Sequence, residues 1–162
     1  MSAINLKIGQ NVIIHPSTEY NNVEFGDNIK IAKECTVIGS ENHKVKIGSG
    51  SIVCMYSIID ASQADIILEN NVTIAQQNVI ISHWNVSESS KLYKLFRYRE
   101  APIKIKENTW IGSSCIIAPG VTIGRCSIIA ANSYVDRDVP DYSIYGGNPA
   151  KLVRNISPKD FE

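Results

Sequence analysis

This chain carries no net charge: sixteen Lys and Arg balance sixteen Asp and Glu. That absence removes the positive field that draws in nucleic acid or an anionic membrane. No apolar run is long enough to span a bilayer, and the opening MSAINLKIGQNV lacks the apolar stretch of a signal peptide. The four cysteines, Cys35, Cys54, Cys115 and Cys126, form no CxxC pair. A disulfide framework fits this length and spacing poorly, so they read as reduced, small, half-buried residues of a cytoplasmic protein. Only three histidines occur, His15, His43 and His83. With 162 residues the chain is long enough to bury one real core, and is read as a single domain over 1–162.

What the chain has in abundance is Ile and Val, which favours strands over helices. They recur with a fixed step. From Ile105 one aliphatic residue returns every six positions: Ile111, Ile117, Ile123, Ile129, Val135. A small residue usually follows it, as at Gly112, Ala118, Gly124 and Ala130. A second small or β-branched residue comes four past it, as at Thr109, Cys115, Val121, Ser127 and Ser133. The step also appears at Ile47, Val53 and Ile59, and at Leu68, Ile74 and Ile80. Weaker copies start near Ile8, Ile14, Phe25 and Ile31.

A period of six suits neither an amphipathic helix nor a long alternating strand. It suits a very short strand followed by a turn. The aliphatic residue points inward, the small residue after it lets the backbone bend, and the second small residue fits a crowded corner. Three steps close one triangular coil of eighteen residues, so Ile105 stacks under Ile123, and Ile111 under Ile129. Stacked coils pair as parallel sheets around an aliphatic column. An ordinary sandwich of short strands does not explain six consecutive hits at one spacing.

The pattern breaks twice. Nine residues, not six, separate Ile59 from Leu68, which places a bulge near Ser62 to Asp65. Between Asn85 and Pro102 no repeat survives, giving a loop over about 84–101. A loop this long inside a compact solenoid is functional or disordered. Its Leu92, Tyr93, Leu95, Phe96 and Tyr98 want cover, which argues against disorder. After Gly146-Gly147-Asn148-Pro149-Ala150-Lys151, a short helical tail is expected over about 149–162. Asn148 would cap it and Pro149 open it, with Lys151 and Arg154 sharing one face.

The repeats, with TWIG, APGVTIG and GGNPAK, resemble the hexapeptide-repeat acyltransferases. The segment from Pro102 to Arg154 is similar to the closing half of the galactoside, maltose and other sugar O-acetyltransferases. The resemblance implies an all-β, left-handed parallel β-helix with one protruding loop, assembled as a homotrimer. The handedness comes from the resemblance alone; the rule for parallel crossovers favours the right-handed form. Also implied is an O-acetyltransferase that uses acetyl-CoA as acyl donor and needs no metal. His83 stands where the family keeps its general base, a task that imidazole suits near neutral pH. A loop carboxylate such as Glu88 or Glu100, or a backbone carbonyl, would orient it. The family's CoA positions fall on Trp110, Ser113, Ala131, Asp136, Arg137, Lys151 and Arg154. A small Ala131 leaves room for pantetheine, and the cations suit phosphate. Asp136 departs from the Thr common there. The family's acceptor positions fall on Met55 and Gln63, where relatives carry Asn and Asp, with Trp84 and Asn85 beside the base.

Those departures put a galactoside or maltose acceptor in doubt. The repeats also start without the N-terminal helical segment of those enzymes. The resemblance therefore moves toward the compact acetyltransferases of surface-polysaccharide assembly, whose acceptors are sugars or glycan precursors. A xenobiotic or antibiotic acetyltransferase and a non-catalytic β-helix trimer are the alternatives. The gamma-type carbonic anhydrases share the fold, but their zinc needs three converging histidines, and His15, His43 and His83 are dispersed.

Overall fold

The computed structural model describes residues 5–96 and 98–161. Strands of two or three residues alternate with turns and stack into three sheets. The first face holds six strands, from Lys7–Ile8 up to Thr122–Ile123; the second holds eight, from Ile13–Ile14 up to a closing hairpin. The third holds six, from Glu19–Asn21 up to Tyr134–Val135. Within each face every neighbour is parallel except in that hairpin. Ile105 pairs with Ile123 and Ile111 with Ile129, as the eighteen-residue coil requires. The fold is the left-handed parallel β-helix. Its axis is filled by the repeating aliphatics: Ile47, Ile74, Ile80, Ile105, Ile111, Ile117, Ile123 and Ile129 are at most 1% exposed.

The small residues of the repeat do other work than the sequence reading gave them. Gly112 does not supply the bend, because its φ is not positive; a Cβ there would lie 2.7 Å from the Ala131 nitrogen of the next coil. It is small because successive coils approach closely. In most corners the bend falls later, on one left-handed residue, such as Asn28, Asn71 and Asn108 between the first and second faces. Gln77, Ser114 and Asn132 play that part between the second and third faces. Asn tolerates positive φ better than most side chains. The second small residue is likewise more than a filler. Thr109 Oγ1 donates to the Gly124 carbonyl at 2.8 Å, Ser127 Oγ to that of Pro140 at 2.9 Å, and the Cys115 thiol to that of Ala130 at 3.1 Å. These bonds satisfy corner carbonyls that the sheet ladders do not reach. All four cysteines are free, and burial pushes the Cys35 and Cys115 thiols above their ordinary range.

The tail corrects the helical expectation. Lys151–Asn155 is a strand, antiparallel to Ser143–Gly146, and only a single 3-10 turn follows at Pro158–Phe161. The second face offers an unpaired edge after Ser143–Gly146, and Lys151-Leu152-Val153-Arg154 takes it. A bulge between the Ile144 and Tyr145 pairings sets Arg154 opposite Ile144 and Lys151 opposite Gly146. One extra residue restores the two-residue parity, so the two cations still share the outward side. A strand with a bulge does what the helix was expected to do.

Two edges of the prism turn in four residues in every coil, for example 48–51, 69–72 and 106–109, or 54–57, 75–78 and 112–115. The edge between the third and first faces does not. There three successive corners are enlarged, 39–44, 61–65 and 82–102, one directly above another. Above them the corner shrinks to 118–121.

Candidate functional site

His83 stands at the base of the largest of these corners. Ser82, fully buried, fixes the departure of the chain: its N–H donates to the Asp60 carbonyl, and its own carbonyl accepts from Ala101 N–H. His83–Trp84 then pairs antiparallel with Arg99–Glu100, His83 opposite Glu100 and Trp84 opposite Arg99. The loop is thus closed at its neck by a two-residue ladder, which holds the imidazole on backbone rather than on a mobile tip. The Arg99 guanidinium lies 5.6 Å from the Trp84 ring centre, a cation–π contact that stiffens the same neck. A 3-10 turn at Lys91–Lys94 is capped by Ser90, whose side chain accepts from Leu92 N–H.

The His83 ring is half-buried. Its Nδ1 faces the Ser62 hydroxyl at 3.5 Å, and Ser62 is itself set by its N–H donating to Asp60 Oδ1 at 2.8 Å. The Tyr98 ring centre lies 6.4 Å from that of His83. The Tyr98 phenol is pushed above its ordinary range, by burial first and by the Glu100 carboxylate second. Sequence reasoning missed Ser62 and left the orienting group open between a backbone carbonyl and a loop carboxylate such as Glu88 or Glu100. Glu100 meets His83 through the backbone ladder, and Glu88 lines a cleft beside it. The signal for Ser62 was the nine-residue interval from Ile59 to Leu68, which places it at the enlarged corner one coil below.

Two clefts flank the neck. One of about 370 Å³ is walled by Gln63, Asn85, Glu88, Tyr93 and Tyr98; the other, of about 310 Å³ and more apolar, by Trp84, Asn85, Val86, Phe96 and Tyr134. Asn85 and Val86 separate them. The structure therefore gathers His83, Gln63, Trp84 and Asn85 on one edge. Asp136 and Arg137 lie on that edge above the loop, paired with each other at 2.9 Å. The Arg137 guanidinium holds the Asp136 carboxyl below the usual carboxylate range, with Arg99 adding to the effect.

The remaining predicted residues are elsewhere. Met55, Ser113 and Ala131 sit on the edge between the second and third faces, Ser113 and Ala131 in successive coils and Met55 two coils below Ser113. Ser113 Oγ donates to Gln76 Oε1 at 2.9 Å, and its carbonyl accepts from Asn132 N–H. Trp110 is not at a corner but on a strand, 53% exposed on the second face. Strand pairing puts it in one outward row with Ile128, Ile144 and Arg154. Within one chain, the imidazole and the Ser113–Ala131 edge are separated by the third face. His15 lies in the lowest coil of this same second-third edge, four coils below Ser113, and among the described residues no three His, Cys, Asp or Glu side chains gather to hold a metal ion. Nor is any helix among them long and apolar enough to cross a membrane.

Comparison with known proteins gives this geometry a setting. The family described as bacterial transferase hexapeptide (six repeats) matches residues 102–137. Galactoside O-acetyltransferase of Escherichia coli is 27% identical over 156 residues, 94% of this chain and 65% of that enzyme. The enzyme of the same name from Lactococcus lactis is 33% identical over 118 residues, 73% of this chain and 56% of that one. The chain thus spans less than two thirds of the length of these relatives. Among solved structures, the N-acyltransferase AntD of Bacillus cereus, with dTDP and 3-hydroxybutyryl-CoA, superposes with a TM-score of 0.83 at 23% identity, covering 94% of this chain and 84% of that one. A hexapeptide-repeat-containing acetyltransferase of Vibrio cholerae, complexed with acetyl coenzyme A, gives 0.65 at 22% identity, covering 92% and 70%. These two establish the shared β-helix. The chain carries the bacterial transferase hexapeptide repeat on a left-handed β-helix and is a sequence relative of galactoside O-acetyltransferases.

Proposed function

We propose that the protein transfers an acetyl group from acetyl-CoA to a hydroxyl of a sugar or glycan precursor, with His83 as general base. The observation that carries this reading is the imidazole clamped on a β-ladder at the neck of a loop whose residues line two clefts, on a scaffold whose sequence relatives include O-acetyltransferases. With Nδ1 turned toward Ser62, Nε2 is the nitrogen left for an incoming hydroxyl. It takes the acceptor proton as the oxygen attacks the thioester carbonyl. The C–S bond then breaks, and the imidazolium returns the proton to the departing CoA thiolate. No covalent enzyme intermediate forms.

The outward row Trp110, Ile128, Ile144 and Arg154 suits the donor. It runs from an aromatic through two aliphatics to a cation, with Lys151 alongside. We assign the apolar part to pantetheine and the cations to the CoA phosphates. Ser113 and Ala131 border the same face at the next corner.

A site that uses both His83 and the Ser113–Ala131 edge needs two copies of the chain. The faces differ in the way that such packing requires. The outward row of the first face is mainly charged, with Lys7, Glu24, Lys46 and Lys104 beside Ile67 and Thr122, whereas the second (Ile13, Lys30, Ile52, Thr73, Trp110, Ile128) and the third (Glu19, Thr36, Ile58, Val79, Ile116, Tyr134) are mainly apolar. Two apolar faces and one charged face fit a closed ring of three. The free thiols fit the reducing cytoplasm. The test is turnover of acetyl-CoA with a sugar panel, followed as thiol release. His83→Ala should lower kcat about a thousandfold while the oligomer and acetyl-CoA affinity persist. Comparable turnover by the variant would remove His83 from the chemistry.

A further inference from the structure

The enlarged edge does not end at the loop. Below it, the corner 39–44 folds over a cavity of about 350 Å³ walled by Asn22, Glu24, Ser40, Glu41, His43 and Lys44, among others. Nothing in the acetyl-transfer chemistry uses this cavity. It lies on the same edge as His83, two coils down, which is about 10 Å at the usual strand spacing. The corner 61–65 joins the two places. Asp65 Oδ1 accepts from Lys44 N–H at 3.0 Å and faces His43 Nδ1 at 3.6 Å, while Ser62 of the same corner faces His83.

The lining states what chemistry the cavity takes. Asn22 is only 8% exposed, yet its Oδ1 has no hydrogen-bond partner among the described residues. Buried amide oxygens are rarely left so, and the deficit asks for a donor. The corner packs tightly there: a Cβ on Gly39 would run into the His43 carbonyl and come within 3.0 Å of the Asn22 Cβ. The described lysines at the cavity, Lys44 and Lys7, both bind Glu24 of its own wall, at 2.7 and 3.5 Å. With Glu41 added, carboxylates balance these lysines among the described residues, which does not favour a phosphate. The site offers hydroxyl, amide and carboxylate groups, which match the hydroxyls of a neutral sugar.

We propose that the acceptor is an extended carbohydrate of two or more units, and that this cavity holds a unit distal to the one presented to His83. The inference rests on the acetyl-transfer reading for its direction, but the cavity stands without it. On this view the three stacked enlargements form one acceptor track: catalytic end at 82–102, Gln63 midway, distal subsite at 39–44.

The test compares methyl glucoside and methyl galactoside with maltose, lactose and cellobiose. In the wild-type protein at least one disaccharide should be acetylated with a kcat/KM about tenfold above its monosaccharide counterpart, the effect of one or two buried hydrogen bonds. Glu41→Trp, at an exposed position on the cavity wall, should bring that ratio to about one and leave monosaccharide turnover unchanged. Asn22→Ala should do the same; if it does not fold, Glu41→Trp decides alone. Saturation-transfer NMR with the three disaccharides, without acetyl-CoA, is the second readout. Transfer to one ring should disappear in Glu41→Trp. Equal kcat/KM values in both proteins, transfer that survives Glu41→Trp, or no transfer to any disaccharide would overturn the subsite. Lost transfer in a protein that acetylates none of the five sugars would uphold the subsite and overturn the acetyl-transfer reading.

Discussion

Two edges of this prism turn identically in every coil, and the third turns differently in almost every one. The plain edges draw on the same parts in most coils: a close-packed small residue, a left-handed residue at the bend, and a buried hydroxyl or thiol that ties one coil to the next, although Glu69 and Lys106 replace the small residue and Ile29 and Val72 the hydroxyl. The third edge keeps the ladders on either side in register, with Leu68 still opposite Ile105 across the whole loop. Additions there leave the stack intact, because a surface insertion costs the scaffold little beyond loop closure. Stability and chemistry are thus divided between edges: repetition supplies the first, and departure from repetition supplies the room for the second.

The sharpest way to break this division is to cut into each side. Ile111→Ala removes a side chain 0% exposed in the column at the second face, between the plain edges. It should cost about 2–5 kcal/mol of unfolding free energy. Gln63→Ala, at an exposed position of the enlarged edge, should change it by less than about 0.5 kcal/mol. Denaturant unfolding measures both; similar losses would mean that the enlarged edge carries the fold as well. The double variant Lys151→Ala with Arg154→Ala comes next. It touches neither the column nor the loop, and should raise KM for acetyl-CoA about tenfold, from two weakened phosphate contacts, with kcat nearly unchanged. An unchanged KM would remove the hairpin from the donor site.

Ser62→Ala tests the enlarged edge from inside. Ser62 is a positioning residue, acting through His83 Nδ1. Its loss should lower kcat three- to tenfold, about the worth of one hydrogen bond, and leave KM for acetyl-CoA alone. Ser62→Thr, which keeps the hydroxyl, should restore most of the rate. Failure of Thr to rescue would make Ser62 a packing residue only.

Most of the plain edges could be read from the chain, because a parallel coil is a local object: the residue that stacks on Ile105 is eighteen positions away, and the same spacing recurs. The enlarged edge was legible only where it interrupted the count, at Ile59–Leu68 and Asn85–Pro102. The corner 39–44 went unnoticed because the surrounding copies, near Ile31 and Val37, are weak in sequence. The tail was misread for a different reason. Asn148-Pro149 is a sound helix start in isolation, but an open sheet edge beside Ser143–Gly146 gives Lys151–Asn155 a partner strand, and the tertiary pairing overrides the local signal. His83 could be placed at the neck; its partner Ser62 could not, since only the stacking of two irregular corners brings them together.

The smallest effect bears on what else holds a plain edge. Glu69 sits at the corner between the first and second faces, with Oε1 on Lys104 Nζ at 2.7 Å and Oε2 accepting from Glu107 N–H at 3.1 Å. The Lys104 contact, with help from the Glu107 amide, holds its carboxyl below the ordinary value of 4.5. A carboxyl whose pKa is depressed by folding stabilises the folded state fully above its unfolded pKa, and that stabilisation fades as pH falls through the folded one. The pair is partly solvated, so its worth is a few tenths of a kcal/mol. Glu69→Gln should therefore lower Tm slightly at pH 7, and the difference should shrink as pH falls through the folded-state pKa and the wild-type carboxyl takes up its proton. A Tm difference that persists unchanged at low pH would mean that the backbone bond to Glu107, which Gln can also accept, is not preserved in the variant. A difference larger than a few degrees at pH 7 would mean that charge, and not only the aliphatic column and its repeated corners, holds the plain edges in register.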